Sequence, residues 1–148
     1  MAKACAYRLK DRWLIHPSSK TTAGVFIACP PYQTIPASAD VAAIGDAICL
    51  ALAASRENIP HPTEWKGLSA PRLAAAGVRS EAALQRGSRL VLVERTENGI
   101  TITPTNNGGT VGDREGFHHL NDHAGVADIG CSTERLGMML NDILEKCS

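Results

Sequence analysis

The residues best equipped for chemistry lie between Thr105 and Cys131, in TNNGGTVGDREGFHHLNDHAGVADIGC. This stretch holds six of the thirteen glycines, three of the five histidines, and the acids Asp113, Glu115, Asp122 and Asp128. His118, His119 and His123 with Asp122 have metal-ligand chemistry, and the 119/123 spacing would align two imidazoles on a helix, as in zinc proteases. The general base of such a site is missing, because no glutamate follows His119, and the glycine and asparagine content opposes a helix. The stretch therefore reads as a solvated loop, and no metal or other cofactor is expected. Asn106 to Asp113 has the glycines of a phosphate cradle but lacks the lysine and hydroxyl that such a loop places on phosphate and magnesium, so it reads as a flexible turn. Cys131 is the cysteine nearest to histidines and carboxylates in the sequence. No flanking motif supplies an oxyanion hole, and inert packing is the expectation.

Other candidates have simpler readings. Trp13 and Trp65 are two of only six aromatics, and a chain so short of aromatics is expected to place them in its core. Arg72, Arg79, Arg86, Arg89 and Arg95 suggest RNA, but Glu81 and Glu94 interrupt the series and no aromatic interleaves, so a solvated surface is expected. The five cysteines, Cys5, Cys29, Cys49, Cys131 and Cys147, are odd in number and contain no Cys-x-x-Cys pair, which argues against a disulfide framework.

At 148 residues the chain fits one domain, 1–148, with enough apolar surface for its own core. Fifteen basic and fifteen acidic residues balance, leaving no overall field to draw the protein to nucleic acid or an anionic membrane. The charge is segregated: Lys3, Arg8, Lys10, Arg12 and Lys20 stand against Asp11 near the N-terminus, and the four acids of 105–130 stand against Arg114. The longest apolar run, Ala47 to Ala54, is too short to cross a bilayer, and the chain reads as cytoplasmic and reduced.

The elements that must position these residues are organised around Asp40 to Ser55, DVAAIGDAICLALAAS. Val41, Ile44, Ile48, Ala51 and Leu52 form one helical stripe, and alanine fills most other positions, so the helix is expected to be enclosed on several sides. Asp40 suits the N-cap, with Ser38 the competing candidate. Gly45 costs about 1 kcal/mol relative to alanine in a helix interior, and close approach of a strand backbone is the expected compensation. A second helix, 133–146, repeats the pattern: Leu136-Gly137 matches Ile44-Gly45, Leu140 matches Ile48, and Cys147 matches Ser55. Each helix follows two apolar runs, 12–16 and 25–29 in the first half, 89–95 and 100–103 in the second. Two ββα halves are expected, produced either by duplication or by convergence of amphipathic patterns.

The fold class is accordingly α+β, a mainly antiparallel sheet with two principal helices, about 40–55 and 133–146. Residues 1–10 read as a polar, partly disordered lead, and Pro17 as the end of the first strand. The 25–29 and 90–93 runs read as central, and the Ile/Thr alternation of 100–103 as a strand near an edge. Minor helical turns are expected at 71–76, closed by Gly77, and at 80–86, capped by Ser80 and Gly87. The loop 56–67 reads as pinned by Trp65. The long 105–131 region is expected to be functional or to hide a strand near 124–129.

A resemblance extends this reading. The order Trp13-x-Ile15, Gly24-Val25-Phe26-Ile27, Ile44-Gly45-Asp46-Ala47 with Ala51-Leu52-x-x-Ser55, the Ile100 to Pro104 strand, Gly116-Phe117, and the closing Leu136-Gly137 helix resembles the immunity proteins of bacterial contact-dependent growth inhibition systems. The resemblance spans nearly the whole chain and rests on apolar and glycine positions. It implies a stoichiometric inhibitor, not an enzyme, that stays in the cytoplasm and neutralises the C-terminal toxin domain of a large exported protein by blocking its active site or substrate path. Such toxins are often nucleases, and an acidic loop can occupy a groove evolved for phosphates. Charge and loop length mark Asp113, Glu115, His118, His119, Asp122 and Asp128 as candidate toxin-binding residues. No direct nucleic-acid or membrane contact is expected. The alternatives are a small cysteine- or metal-dependent hydrolase built on His118 to Cys131, and a nucleic-acid-binding module.

Overall fold

A computed structural model describes residues 1–148. Eight strands form an antiparallel sheet: β1 (Ala2–Arg8), β2 (Arg12–Lys20), β3 (Phe26–Ala28), β4 (Gln33–Pro36), β5 (Arg89–Thr96), β6 (Gly99–Asn107), β7 (Phe117–His119) and β8 (Gly125–Ala127). The path runs β3-β2-β1-β5-β6-β7, with β4 also on β2 and β8 also on β6. The helices are α1 (Val41–Ala54), α2 (Ala70–Ala76), α3 (Glu81–Arg86) and α4 (Thr133–Leu144), with a 3-10 turn at Asn121–His123. The α+β class and both principal helices are as the sequence predicts. Asp40 caps α1 by accepting from Ala43 N–H at 2.9 Å, Ser80 caps α3, Ser132 caps α4, and Gly77 ends α2 at φ 75°.

Several strand assignments change. The expected disordered lead is β1, the strand between β2 and β5. Alanine is a poor strand former, so AKACAYR gives little local signal; the small side chains of Ala2, Ala4 and Ala6 instead lie in the core beneath the helices. Pro17 does not end β2. Its carbonyl accepts from Cys29 N–H at 3.1 Å, and in an extended residue the missing N–H would point the same way. That side is the junction where β2 changes partners, from β4 at Arg12–Ile15 to β3 at Ser18–Lys20, so no donor is lost there. The 25–29 run is not central: β3 is a three-residue outer strand, with Val25 42% exposed. The 100–103 strand is near an edge as expected: β6 is the last strand but one, and the long 105–131 region returns the short β7 and β8 along its outer side.

The two-half organisation is present with a shifted strand register. The hydrogen bonding makes β1, β2, β3, β4 and α1 equivalent to β5, β6, β7, β8 and α4: β3 and β4 flank β2 as β7 and β8 flank β6. Pro104 stands in β6 where Pro17 stands in β2, its carbonyl accepting from Leu120 N–H at 2.9 Å. Lys20 N–H donates to the Arg56 carbonyl at 2.9 Å, as Asn107 N–H does to that of Ser148 at 2.6 Å. The expected matching of 12–16 with 89–95 was displaced by one strand because β1 carries so weak a signal.

Helices α1 and α4 share one face of the sheet. They cross at their glycines: a Cβ on Gly45 would lie 1.7 Å from the Thr133 carbonyl oxygen, and one on Gly137 1.8 Å from that of Val41. The close neighbour is therefore the other helix, where a strand backbone is expected from the sequence. Beneath the crossing lies a core of Trp13, Ile15, Ile44, Ile48, Leu52, Val91, Val93, Ile102, Leu136 and Leu140. On the opposite face α2 and α3 cover a second cluster, Tyr7, Leu9, Leu14, Ala76, Leu84 and Leu90.

Candidate functional site

The acids singled out in the sequence are all exposed, and none is ion-paired within the chain. Asp113 and Glu115 sit in the β6–β7 loop, Asp122 in the 3-10 turn, and Asp128 just past β8. Asn107 pairs with Phe117 and Ile100 with Ala127, so Glu115 and Asp128 flank a length of β6 of about 23 Å. The structure thus strings these residues along the β6 edge and does not gather them into one cluster. Alternation on β7 also divides the histidines. His119 shares the Thr105 side of the sheet and, with Asn121, Asp122 and His123, lines a shallow depression. His118 points to the other side, where its Nε2 lies 2.8 Å from the Arg114 carbonyl. No three His, Cys, Asp or Glu side chains are grouped as metal ligands would be. Cys131 packs against the α1–α4 core and has no hydrogen bond to a histidine.

The face that carries α2 and α3 is covered only in part. Beside these helices runs a cleft of about 390 Å³ lined by Phe26, Ile27, Ala28, Trp65, Leu68 and Arg72, among others. It adjoins a smaller depression floored by Lys3, Cys5, Leu92 and Glu94, with His119 at its rim. Trp65 is 52% exposed. Its ring meets His61 edge-on at 5.4 Å, so it pins the 56–67 loop as predicted, but from outside the core. Lys3 pairs with Glu94 at 3.1 Å and lies 4.0 Å from the Phe26 ring centroid.

At the cleft wall Arg72 donates to the Tyr7 hydroxyl at 2.9 Å and pairs with Glu81. Burial drives the Tyr7 hydroxyl well above its ordinary value despite Arg72, and burial raises the Cys5 thiol to about 11 against the opposing charges of Arg72 and Lys3. That thiol stays protonated, and a thiol is a poor nucleophile. His16 lies behind, stacked on Tyr7 at 5.9 Å and 1% exposed. Burial lowers it to about 4, although its contact with the Pro17 carbonyl works the other way, so the imidazole is neutral at pH 7 and Nδ1–H donates to that carbonyl at 2.8 Å. Of this group the sequence points only to Arg72, as one of a solvated arginine series; its side chain is instead largely buried, 13% exposed, against Tyr7. Tyr7, His16, Arg72 and Glu81 come from four elements, and only the exposed charge-and-aromatic content of 56–86 hinted at it.

The fold and its surfaces together define a small α+β protein that presents an open, mixed aromatic and charged sheet face beside an acidic strand edge. The family model described as CDI immunity protein matches residues 2–147, and the chain belongs to that family. Among solved structures, a Neisseria meningitidis protein of unknown function is similar over 99% of this chain and 95% of its own, with 17% identity and a TM-score of 0.78. The CdiA-CT/CdiI toxin and immunity complex from Yersinia pseudotuberculosis contains a chain similar over 99% of this one and 97% of its own, with 16% identity and a TM-score of 0.75. Likeness at such identities speaks for the fold. No curated protein matches the chain. No helix is long and apolar enough to cross a membrane.

Proposed function

We propose that this immunity protein is a stoichiometric inhibitor that binds the C-terminal toxin domain of its cognate exported protein in the cytoplasm and blocks that domain's active site or substrate path. The observation that carries the reading is the family match over residues 2–147. The architecture supports it: the surface is open, and the acids along the β6 edge are exposed and free of internal partners, as charges meant for another molecule would be. We further propose that the toxin is a nuclease, because a cationic substrate groove is the natural counterpart of Asp113, Glu115, Asp122 and Asp128, with His118 and His119 between them. Electrostatic complementarity of this kind mainly raises the association rate and sets specificity.

The test is co-expression with the cognate toxin domain. The expected result is a stable complex that lacks the toxin's activity and protects a challenged cell in proportion to the amount of inhibitor. Multiple-turnover inactivation of the toxin by substoichiometric protein would reject the inhibitor reading. It would favour the hydrolase alternative, for which Cys131 and the 118–123 histidines are the residues to mutate.

A further inference from the structure

Four cations meet at one end of the sheet with no acid among them. Arg8 closes β1 and Arg89 opens β5, and the two stand directly opposite in the register of this central pair. Like charges in that position repel. Lys10, in the β1–β2 turn, and Arg86, at the end of α3, join them around a depression of about 320 Å³ completed by Leu9, Gly87 and Ser88. The three ion pairs of the chain, Lys3–Glu94, Asp11–Arg12 and Arg72–Glu81, leave all four out. Two of the side chains are held in place: the Arg8 guanidinium lies 5.7 Å from the Trp13 ring centroid, and Arg89 Nη1 reaches the Leu144 carbonyl at the end of α4 at 3.5 Å. The Arg8 Nε is buried with no hydrogen-bond partner.

In a chain whose charges balance overall, four cations outside every ion pair, with only the charge of exposed Asp11 acting on Lys10, are a local arrangement and not a result of composition. We propose that this depression binds a small phosphate-bearing anion, of the orthophosphate or pyrophosphate class. A guanidinium offers planar, paired donors that match phosphate oxygens, and an anion placed between Arg8 and Arg89 replaces repulsion by charge-assisted hydrogen bonds. The extent of the site decides against a nucleic-acid strand. Four cations around one depression suffice for one or two phosphates, whereas a strand needs a basic groove that tracks the backbone and aromatics on which bases stack. No aromatic side chain lines this depression. The proposal does not depend on the toxin reading, since binding is measured on this chain alone.

The experiment is an amide-resolved NMR titration of the full chain with sodium pyrophosphate, at constant ionic strength maintained with chloride. Saturable shifts centred on Arg8–Lys10 and Arg86–Arg89 are expected, together with a rise in the unfolding midpoint that chloride does not produce. Lys10→Gln combined with Arg86→Gln removes two donors without touching the Trp13 or α4 contacts and should bind about tenfold more weakly or worse. Should that pair fold poorly, Arg86→Gln alone, at an exposed position, serves the same purpose. Equal effects of chloride and pyrophosphate, or undiminished affinity in a folded variant, would overturn the proposal. So would tighter binding of a twelve-nucleotide single strand than of pyrophosphate with log K falling by more than about two per tenfold rise in salt, an outcome that would assign the site to nucleic acid.

Discussion

Alanine at Gly137 tests the packing argument at its tightest point. The added Cβ would sit 1.8 Å from the Val41 carbonyl oxygen and 2.7 Å from its carbon. Both atoms are helix backbone, so no flexible side chain can give way. Restoring ordinary contact would part α1 and α4 by roughly 1.5–2 Å and loosen Ile44, Leu136 and Leu140 beneath them. Overpacking of this kind costs roughly 3 kcal/mol, against which alanine gains about 1 kcal/mol in helix propensity. The net expectation is a loss of about 2 kcal/mol, or about 4–8 °C in Tm for a chain of this size. Gly45→Ala should cost as much, since its Cβ would meet the Thr133 carbonyl at 1.7 Å. The double variant should cost less than the sum, because one displacement of the helices relieves both clashes. Urea unfolding is the assay, with Gly130→Ala as control: a Cβ there meets nothing within 4 Å, so its effect should be near zero or slightly stabilising. A Gly137→Ala protein as stable as wild type would refute the reasoning outright.

Three further outcomes are expected. Asp113→Lys with Glu115→Lys should slow association with the toxin domain while leaving urea unfolding nearly unchanged, because exposed loop charges contribute little stability; an unaltered association rate, or one indifferent to salt, would remove this loop from the interface. Cys131→Ala and His123→Ala, if folded, should still protect a toxin-challenged cell, and loss of protection at full toxin affinity would move the assignment to the hydrolase. His16 takes up a proton below about pH 6.5 in the unfolded chain but only near 4 in the folded one, so stability should fall as pH drops through that window, by a total of about 3 kcal/mol. Carboxylates add to the change below pH 5, so the decisive interval is pH 5–6.5, where a His16→Phe variant should lose most of the slope; a variant as pH-sensitive as wild type would exclude His16 as the cause.

The sequence by itself determined the elements whose signal is local. The α1 and α4 stripes, the Asp40 and Ser80 caps, the Gly77 stop and the equivalence of Gly45 with Gly137 all depend on side chains within a few turns of one another, and family membership was legible in the same apolar and glycine spacing. Tertiary structure decided what depends on partners far along the chain. Ala2 to Arg8 is a strand only because β2 and β5 pair with it on both sides and the helices above need small side chains. Pro17 and Pro104 sit inside strands only because the neighbouring strand changes at those points. The acids from Asp113 to Asp128 are close in sequence yet spread along β6, because β7 and β8 carry them to opposite ends of one strand. Tyr7 and His16 meet Arg72 and Glu81, and Arg8 and Lys10 meet Arg86 and Arg89, across more than fifty residues of sequence. Such groups have no sequence period, since their geometry is set by strand register and helix placement, and these arise only when the whole chain has buried its core.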